Sequence, residues 1–135
     1  MDRDALCRLS ATRLAALIRA REVSPVEVTE AVLARAERLD PILHAFMTRT
    51  PDRALERART AEAAVQRRNR LGPLHGVPVT IKDSIWVEGV RSTLGVRPLE
   101  GFVAPESAVA VVVLPVCGET EALAGSLESQ MKETF

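Results

Sequence analysis

Aromatic residues are scarce: the 135-residue sequence contains one tryptophan, three phenylalanines and no tyrosine. Proteins that bind single-stranded nucleic acid stack bases on aromatic side chains, so this mode of binding is not expected. The net charge is zero, although residues 1–70 hold 14 arginines against 10 acidic residues. We interpret these arginines as solvated faces of predicted helices. They form no clustered basic stripe, so direct nucleic-acid binding is not predicted.

Cysteines and long apolar runs are also scarce. Cys7 and Cys117 lie far apart and no C-x-x-C spacing occurs, so neither a disulfide framework nor a cysteine metal site is predicted. The charged start of the chain lacks the apolar stretch of a signal peptide. The longest apolar run, residues 108–117, is shorter than the roughly 20 residues that cross a bilayer. The sequence therefore predicts a cytoplasmic protein without membrane contact, and it offers no ligand set for a metal or organic cofactor.

The common catalytic signatures are absent: no Walker loop, G-x-G-x-x-G, H-E-x-x-H or G-x-S-x-G segment occurs. His44 and His75 have no cysteine or carboxylate at ligand spacing, so we interpret them as structural or surface histidines. The sequence has 2 lysines against 16 arginines. Lysine can lose its proton when buried whereas arginine stays charged, which makes Lys82, at the end of an apolar run, a candidate functional residue. A solvated lysine at a strand end is the alternative.

The first half of the sequence has the pattern of helices. Ser24, Pro25 and Glu27 together predict a helix start, because serine can cap, proline suits the first helical position and glutamate completes a capping box. Asp40-Pro41 predicts the end of that helix near Leu39. The predicted helices run from Ser10 to about Arg21, from Ser24 to about Leu39, and from Pro51 to about Arg67.

The second half has the pattern of strands. Residues 76–82 are predicted as a strand entered through a Gly/Pro turn, and residues 42–48 and 85–90 as shorter extended segments. Residues 109–116 are β-branched and continuous, which favours a buried strand. The predicted fold is α/β, with α+β as the alternative: three amino-terminal helices packed on an incomplete mixed sheet. The open edges of such a sheet indicate a missing remainder or a partner.

The segment from Gly76 to Asp83, Gly-Val-Pro-Val-Thr-Ile-Lys-Asp, resembles the lysine motif of the amidase-signature family. Further segments resemble the same family in the expected order: Leu9–Thr12, Ser24–Val28, Asp40–Phe46, Leu71–Gly76, Val87–Gly95 and Leu99–Phe102. The resemblance covers residues 9–110. On this basis residues 1–135 are predicted to be the amino-terminal part of an amidase domain with a partial amidase-signature fold, and residues 111–135 a diverged or disordered tail.

The resemblance implies a Ser–Ser–Lys triad in which Lys82 is the catalytic lysine. In the family the lysine is buried and neutral, and it takes a proton through a serine in a cis peptide bond, which activates a second, nucleophilic serine. The glycine- and serine-rich segment that carries both serines does not occur in this sequence. Ser126 and Ser129 lack flanking glycine pairs and are not assigned these roles. Ser84 and Val96 also depart from the family's usual residues.

Three hypotheses for function follow. The first is an amidase-family protein, by descent a hydrolase of carboxylic amide C–N bonds, that lacks the catalytic serines and is inactive alone. The second is one half of a split amidase, completed by another chain or in a homo-oligomer, with a small-molecule amide as substrate. The third is a non-catalytic interaction module in which Lys82 has no chemical role.

Overall fold

The computed structural model describes residues 2–111 of the chain. Within that range the first two-thirds is helical and the last third consists mainly of turns and extended segments. The helices are α1 (Arg3–Leu6), α2 (Ala11–Arg19), α3 (Pro25–Leu43) and α4 (Pro51–Gln66), followed by a short 3-10 helix (Arg97–Leu99). The three helices predicted from the sequence correspond to α2, α3 and α4.

Side-chain caps fix the starts of α2 and α3. The Ser10 hydroxyl accepts a hydrogen bond from the Arg13 amide at 3.2 Å. The Ser24 hydroxyl accepts one from the Val26 amide at 2.9 Å, and the Glu27 carboxylate accepts one from the Ser24 amide at 2.9 Å. These contacts form the predicted capping box, which satisfies backbone donors that have no partner inside the helix.

The predicted end of α3 near Leu39 is wrong. The helix continues through Pro41 to Leu43 and ends at His44, which has a left-handed backbone conformation (φ 48°). Pro41 cannot donate to the carbonyl four residues earlier, so the helix loses one hydrogen bond there. It still closes after Pro41, because the His44 amide donates to the Asp40 carbonyl at 2.7 Å. The Asp40 carboxylate accepts hydrogen bonds from the amides of Ala45 (2.8 Å) and Phe46 (3.1 Å), so residues 42–48 do not form the predicted strand.

The hydrophobic core lies among the helices. α3 packs against both α1 and α4. The core consists of buried aliphatic side chains from these helices and from the loop between α2 and α3: Leu6, Leu14, Leu17, Ile18, Val23, Val28, Ala31 and Val65. Leu71 and Val77 of the following segment are half-buried against this core. The packed helices α1 to α4 are referred to below as the helical body. The segment that leads to Lys82 is therefore attached to the helical body through apolar contacts.

The predicted mixed sheet is wrong for residues 2–111, which contain no β-strand. One isolated antiparallel bridge joins Arg91 and Val103. A strand exists only when its backbone bonds to a neighbouring strand, and residues 78–82, which have no regular secondary structure, have no such neighbour among the described residues. Alternating apolar side chains do not by themselves supply a neighbouring strand.

Two other predictions fall at the end of the described range. Residues 109–111 are helical rather than extended, and Val109 is exposed. The rest of the predicted strand, residues 112–116, lies outside the described residues, and so does the predicted tail beyond residue 111.

Candidate functional site

The site begins with the segment that carries the chain from α4 to Lys82. Arg19 of α2 donates a hydrogen bond to the Gly72 carbonyl at 3.1 Å. The Nε2 atom of His75 lies 2.9 Å from the Ala61 carbonyl of α4, so this histidine has a structural contact. Together with the apolar contacts of Leu71 and Val77, these bonds fix the segment before Lys82 on the helical body.

Lys82 ends the extended segment and is exposed. Its carbonyl accepts a hydrogen bond from the Ile85 amide at 2.8 Å, which begins a turn. Within residues 2–111 the side chain of Lys82 has no ion pair. The resemblance implies a buried lysine at this position, so burial would have to come from groups other than those of residues 2–111.

Asp83, the next residue, is bound by a loop ten residues further along the chain. Its carboxylate accepts hydrogen bonds from the Thr93 amide at 3.0 and 3.1 Å and from the Thr93 hydroxyl at 2.9 Å. The hydrogen bond from the Thr93 amide is the main cause that lowers the pKa of Asp83 from its ordinary value, with the amides of Gly95 and Leu94 acting in the same direction. The carboxylate is therefore held in its charged form.

The loop that binds Asp83 is well ordered by its own contacts. Ser92 and Thr93 are each only 3% exposed. The Ser92 hydroxyl donates to the Asp83 carbonyl, and the Gly95 amide donates to the Thr93 hydroxyl at 3.1 Å. Leu94 and Gly95, which have positive φ angles of 52° and 72°, form the turn that follows Thr93.

Arginine side chains tie this loop region to the helical body. The Arg91 guanidinium donates to the Met47 carbonyl at 2.6 Å and to the Thr48 hydroxyl at 3.3 Å, both in the connection between α3 and α4. Arg53 of α4 donates to the Glu88 carbonyl at 2.7 Å. The segments on both sides of Lys82 are thus anchored on the helices.

Apolar side chains lie exposed around the lysine segment. Trp86 packs at 5.3 Å from Phe102, measured between ring centroids, yet 38% of Trp86 remains exposed. Further residues with exposed fractions of 47% to 54% are Val79, Leu94, Val96 and Val103. Large exposed apolar surfaces are typical of regions that another protein segment covers.

The described residues bring only one of the predicted catalytic groups into this site. Ser84 is exposed beside Lys82, whereas Ser126 and Ser129 lie outside the described residues. Residues 2–111 contain no group of three His, Cys, Asp or Glu side chains that could hold a metal ion. No helix in that range is long and apolar enough to span a membrane. The contacts of Asp83 with Ser92 and Thr93 were not predicted, because no local signal in the sequence links positions ten residues apart.

Comparison with known proteins decides the family. The Amidase family model matches residues 27–119 of the chain. The chain belongs to the amidase family. The matched residues include the whole lysine segment and the loop that binds Asp83, so the resemblance inferred from the motif is confirmed.

Curated relatives of this amidase-family chain are much longer than the chain itself. The A subunit of glutamyl-tRNA(Gln) amidotransferase from Methylococcus capsulatus is 45% identical over 104 residues, which are 77% of this chain and 21% of the relative. The corresponding protein of Chloroflexus aurantiacus is 42% identical over 113 residues, 84% of this chain and 23% of the relative. The chain therefore spans about a fifth of the length of these relatives.

Two solved structures superimpose on the chain. One is described as "An unexpected vestigial protein complex reveals the evolutionary origins of an s-triazine catabolic enzyme"; its TM-score is 0.78 at 28% identity, over 82% of this chain and 24% of that chain. The other is a fatty acid amide hydrolase, with a TM-score of 0.79 at 27% identity, over 86% of this chain and 21% of that chain. The helical body and loops therefore have the arrangement found in larger proteins.

Proposed function

We propose that Lys82 acts as the general base in hydrolysis of a carboxylic amide C–N bond, within an assembly that supplies the catalytic serines. The observation that carries this proposal is the position of Lys82. It lies in the segment that resembles the family's lysine motif, inside the matched residues 27–119. Hydrogen bonds from Arg19 to Gly72 and from Arg53 to Glu88 join the chain before and after it to the helices.

The chemistry requires a neutral amine. Covering the exposed Lys82 with further protein would remove water from its side chain, and desolvation lowers the pKa of a lysine. A neutral amine can then accept, through one serine, the proton of the nucleophilic serine hydroxyl, whose oxygen attacks the amide carbonyl. The C–N bond breaks, the amine leaves with the proton that Lys82 returns, and an acyl-enzyme remains. Water releases the carboxylic acid in a second step. Arginine cannot take this role because its guanidinium stays protonated.

By itself the chain is proposed to be inactive. Members of a catalytic triad act as a unit, so loss of one removes most of the rate enhancement. In residues 2–111 no serine hydroxyl is bonded to Lys82. Purified chain should therefore show no turnover of simple amides or esters above background. Turnover that disappears in Lys82→Ala would contradict this.

The experiment that tests the proposal is complementation. The full chain is co-expressed with the part of the Methylococcus capsulatus relative that lies outside its 104 matched residues, and amide hydrolysis by the purified assembly is measured. Activity is expected with the parent chain and is expected to be lost in both Lys82→Ala and Lys82→Arg. The relative's fragment alone is the background control. Equal activity with Lys82→Arg would rule out a base role.

Exposed apolar side chains support a complementing chain as the partner. About half of the side chain is exposed at each of three positions, Val79, Val96 and Val103. In the two superimposed structures, the part of the chain outside the match is three to four times as long as the matched part. A non-catalytic interaction module would use the same surface without needing Lys82. Complex formation that is unchanged in Lys82→Arg, with no hydrolysis by any assembly, would favour that function.

A further inference from the structure

The carboxylate of Asp83 is bound by Thr93, ten residues further along the chain. The Thr93 amide lies 3.0 and 3.1 Å from the two carboxylate oxygens, and the Thr93 hydroxyl donates to one of them at 2.9 Å. The Gly95 amide donates to the oxygen of the same hydroxyl at 3.1 Å, so the hydroxyl proton is directed to Asp83. Two donors of one residue therefore hold the carboxylate.

The same loop holds the backbone of Asp83 as well as its side chain. The Ser92 hydroxyl donates to the Asp83 carbonyl, and both Ser92 and Thr93 are almost fully buried. The preceding residue, Arg91, binds the Met47 carbonyl between α3 and α4 at 2.6 Å. A continuous series of hydrogen bonds thus runs from the helical body through residues 91–93 to Asp83, which is adjacent to Lys82.

We propose that Asp83 is a positioning residue for Lys82: its attachment to Thr93 fixes the backbone from which the lysine side chain projects. The proposal rests on the function proposed for Lys82. We name the hydrogen bonds of Asp83 with Ser92 and Thr93 the Asp83 latch.

Asp83 acts through the backbone and not as the ion-pair partner of Lys82. Among residues 2–111 the ion pairs are Arg3 with Glu30 and Arg38 with Asp4, and Asp83 takes part in neither. A carboxylate paired with Lys82 would favour the charged amine, which is the wrong form for a base. Because the latch occupies both oxygens of Asp83, the carboxylate orders the lysine backbone without pairing with the amine.

Selective isotope labelling tests the latch in the full chain. The chain has two lysines, Lys82 and Lys132, so a sample labelled with nitrogen-15 lysine gives two backbone amide signals. We expect the heteronuclear NOE of the Lys82 amide to fall in Asp83→Asn and Thr93→Val, which means that the backbone at Lys82 becomes more mobile. Each substitution weakens the hydrogen bonds between Asp83 and Thr93. Thr93→Ser keeps the hydroxyl and is expected to retain the parent value. The Lys132 signal and the helical circular dichroism serve as references.

The outcomes separate positioning from general stability. A lower Lys82 NOE with unchanged helical signal supports the latch. An unchanged NOE in both Asp83→Asn and Thr93→Val would overturn it. Loss of helical signal in both variants would also overturn it, because Asp83 would then be required for the helices to form, beyond the modest stabilisation that a hydrogen-bonded carboxylate gives a folded chain.

Activity of the complemented assembly provides the second measurement. Misplacing a catalytic group by about 1 Å can cost on the order of 100-fold in rate. We therefore expect Asp83→Asn and Thr93→Val to lower kcat by about that factor with little change in KM, and Thr93→Ser to restore kcat. If Lys82→Ala abolishes activity while Asp83→Asn and Thr93→Val keep full kcat, the latch is wrong and the function of Lys82 stands. If Lys82→Ala keeps activity, the proposed function fails.

Discussion

The backbone of Gly76 passes so close to Pro25 that a Cβ atom at position 76 would lie 2.9 Å from Pro25 Cγ. Here the segment that leads to Lys82 crosses the first turn of α3, and Gly76 also has a φ angle of +76°. Gly76→Ala combines a strained backbone conformation with a steric clash. We expect it to lower the free energy of unfolding by about 1–3 kcal/mol, measured by urea denaturation.

Gly101→Ala is the matched control for this substitution. A Cβ atom at Gly101 would meet no heavy atom within 4 Å, and its φ angle lies outside the left-handed region. We expect a change within about 0.5 kcal/mol, as for most surface substitutions. Equal urea midpoints for the two variants would show that the contact between Gly76 and Pro25 does not constrain the segment.

Arg91 provides a second link between the loops and the helices. Its planar guanidinium reaches both the Met47 carbonyl and the Thr48 hydroxyl. Lysine keeps the charge but cannot reproduce two bonds in this fixed geometry. Arg91→Lys is therefore expected to lower the free energy of unfolding by about 0.5–1.5 kcal/mol, the net contribution of one hydrogen bond.

Arg97→Lys is the control for Arg91→Lys. Arg97 is exposed, and its side chain makes no hydrogen bond within the described part of the chain. The two variants carry the same change of residue type, so a difference between their urea midpoints isolates the contacts of Arg91. If both midpoints equal that of the parent, the Arg91 contacts contribute nothing to stability.

Local signals in the sequence predicted the starts of helices well. The capping box of Ser24 and Glu27 involves residues three positions apart, and the physics of helix capping is contained in that short segment. The prediction that Asp40-Pro41 ends α3 near Leu39 was wrong, because the helix tolerates the hydrogen bond lost at Pro41. The end lies a few residues later, where the Asp40 carbonyl and carboxylate accept hydrogen bonds from the amides of residues 44–46.

Non-local pairing explains what the sequence could not predict. The apolar alternation of residues 76–82 favoured a strand, but strand formation depends on a neighbour, and none is present among residues 2–111. The contacts of Asp83 with Thr93 also depend on a loop that bends back over ten residues. Lys82 could be singled out as a candidate because its neighbours in sequence resemble a specific motif, whereas the residues that bind the adjacent Asp83 could not be predicted.

The capping interactions of α3 and α4 make a further prediction. The Ser24 hydroxyl accepts a hydrogen bond from Val26 and donates one to Glu62 of α4, whereas the Thr50 side chain makes no capping bond at the start of α4. Ser24→Ala should lower the free energy of unfolding by about 1 kcal/mol or more, and Thr50→Ala by less. Thermal unfolding followed by circular dichroism measures both. An equal or larger loss in Thr50→Ala would contradict the assignment of the cap.

The acid stability of the chain should depend on two aspartates whose pKa values are lowered by different partners. Hydrogen bonding to the Thr93 amide lowers the pKa of Asp83, and hydrogen bonding to Arg38 lowers that of Asp4. In each case the unfolded chain binds a proton more readily than the folded chain does. The stabilisation is therefore present at neutral pH, and it is lost as the pH falls from the ordinary aspartate range through the lower pKa of the folded state.

Asp83→Asn separates the two contributions. The variant should be less stable than the parent at pH 7, and the difference should shrink as the pH is lowered toward 3, because the parent then loses its charged carboxylate as well.

Asp4→Asn should give the same trend, but the exposed ion pair of Asp4 with Arg38 in the parent should weaken in high salt. The Asp83 contribution should be less sensitive to salt because its main partners are the amide and hydroxyl of Thr93. Urea midpoints measured across this pH range at two salt concentrations check both trends. A parent–variant difference for Asp83→Asn that stays constant from pH 7 to 3 would show that the charge of Asp83 does not stabilise the fold.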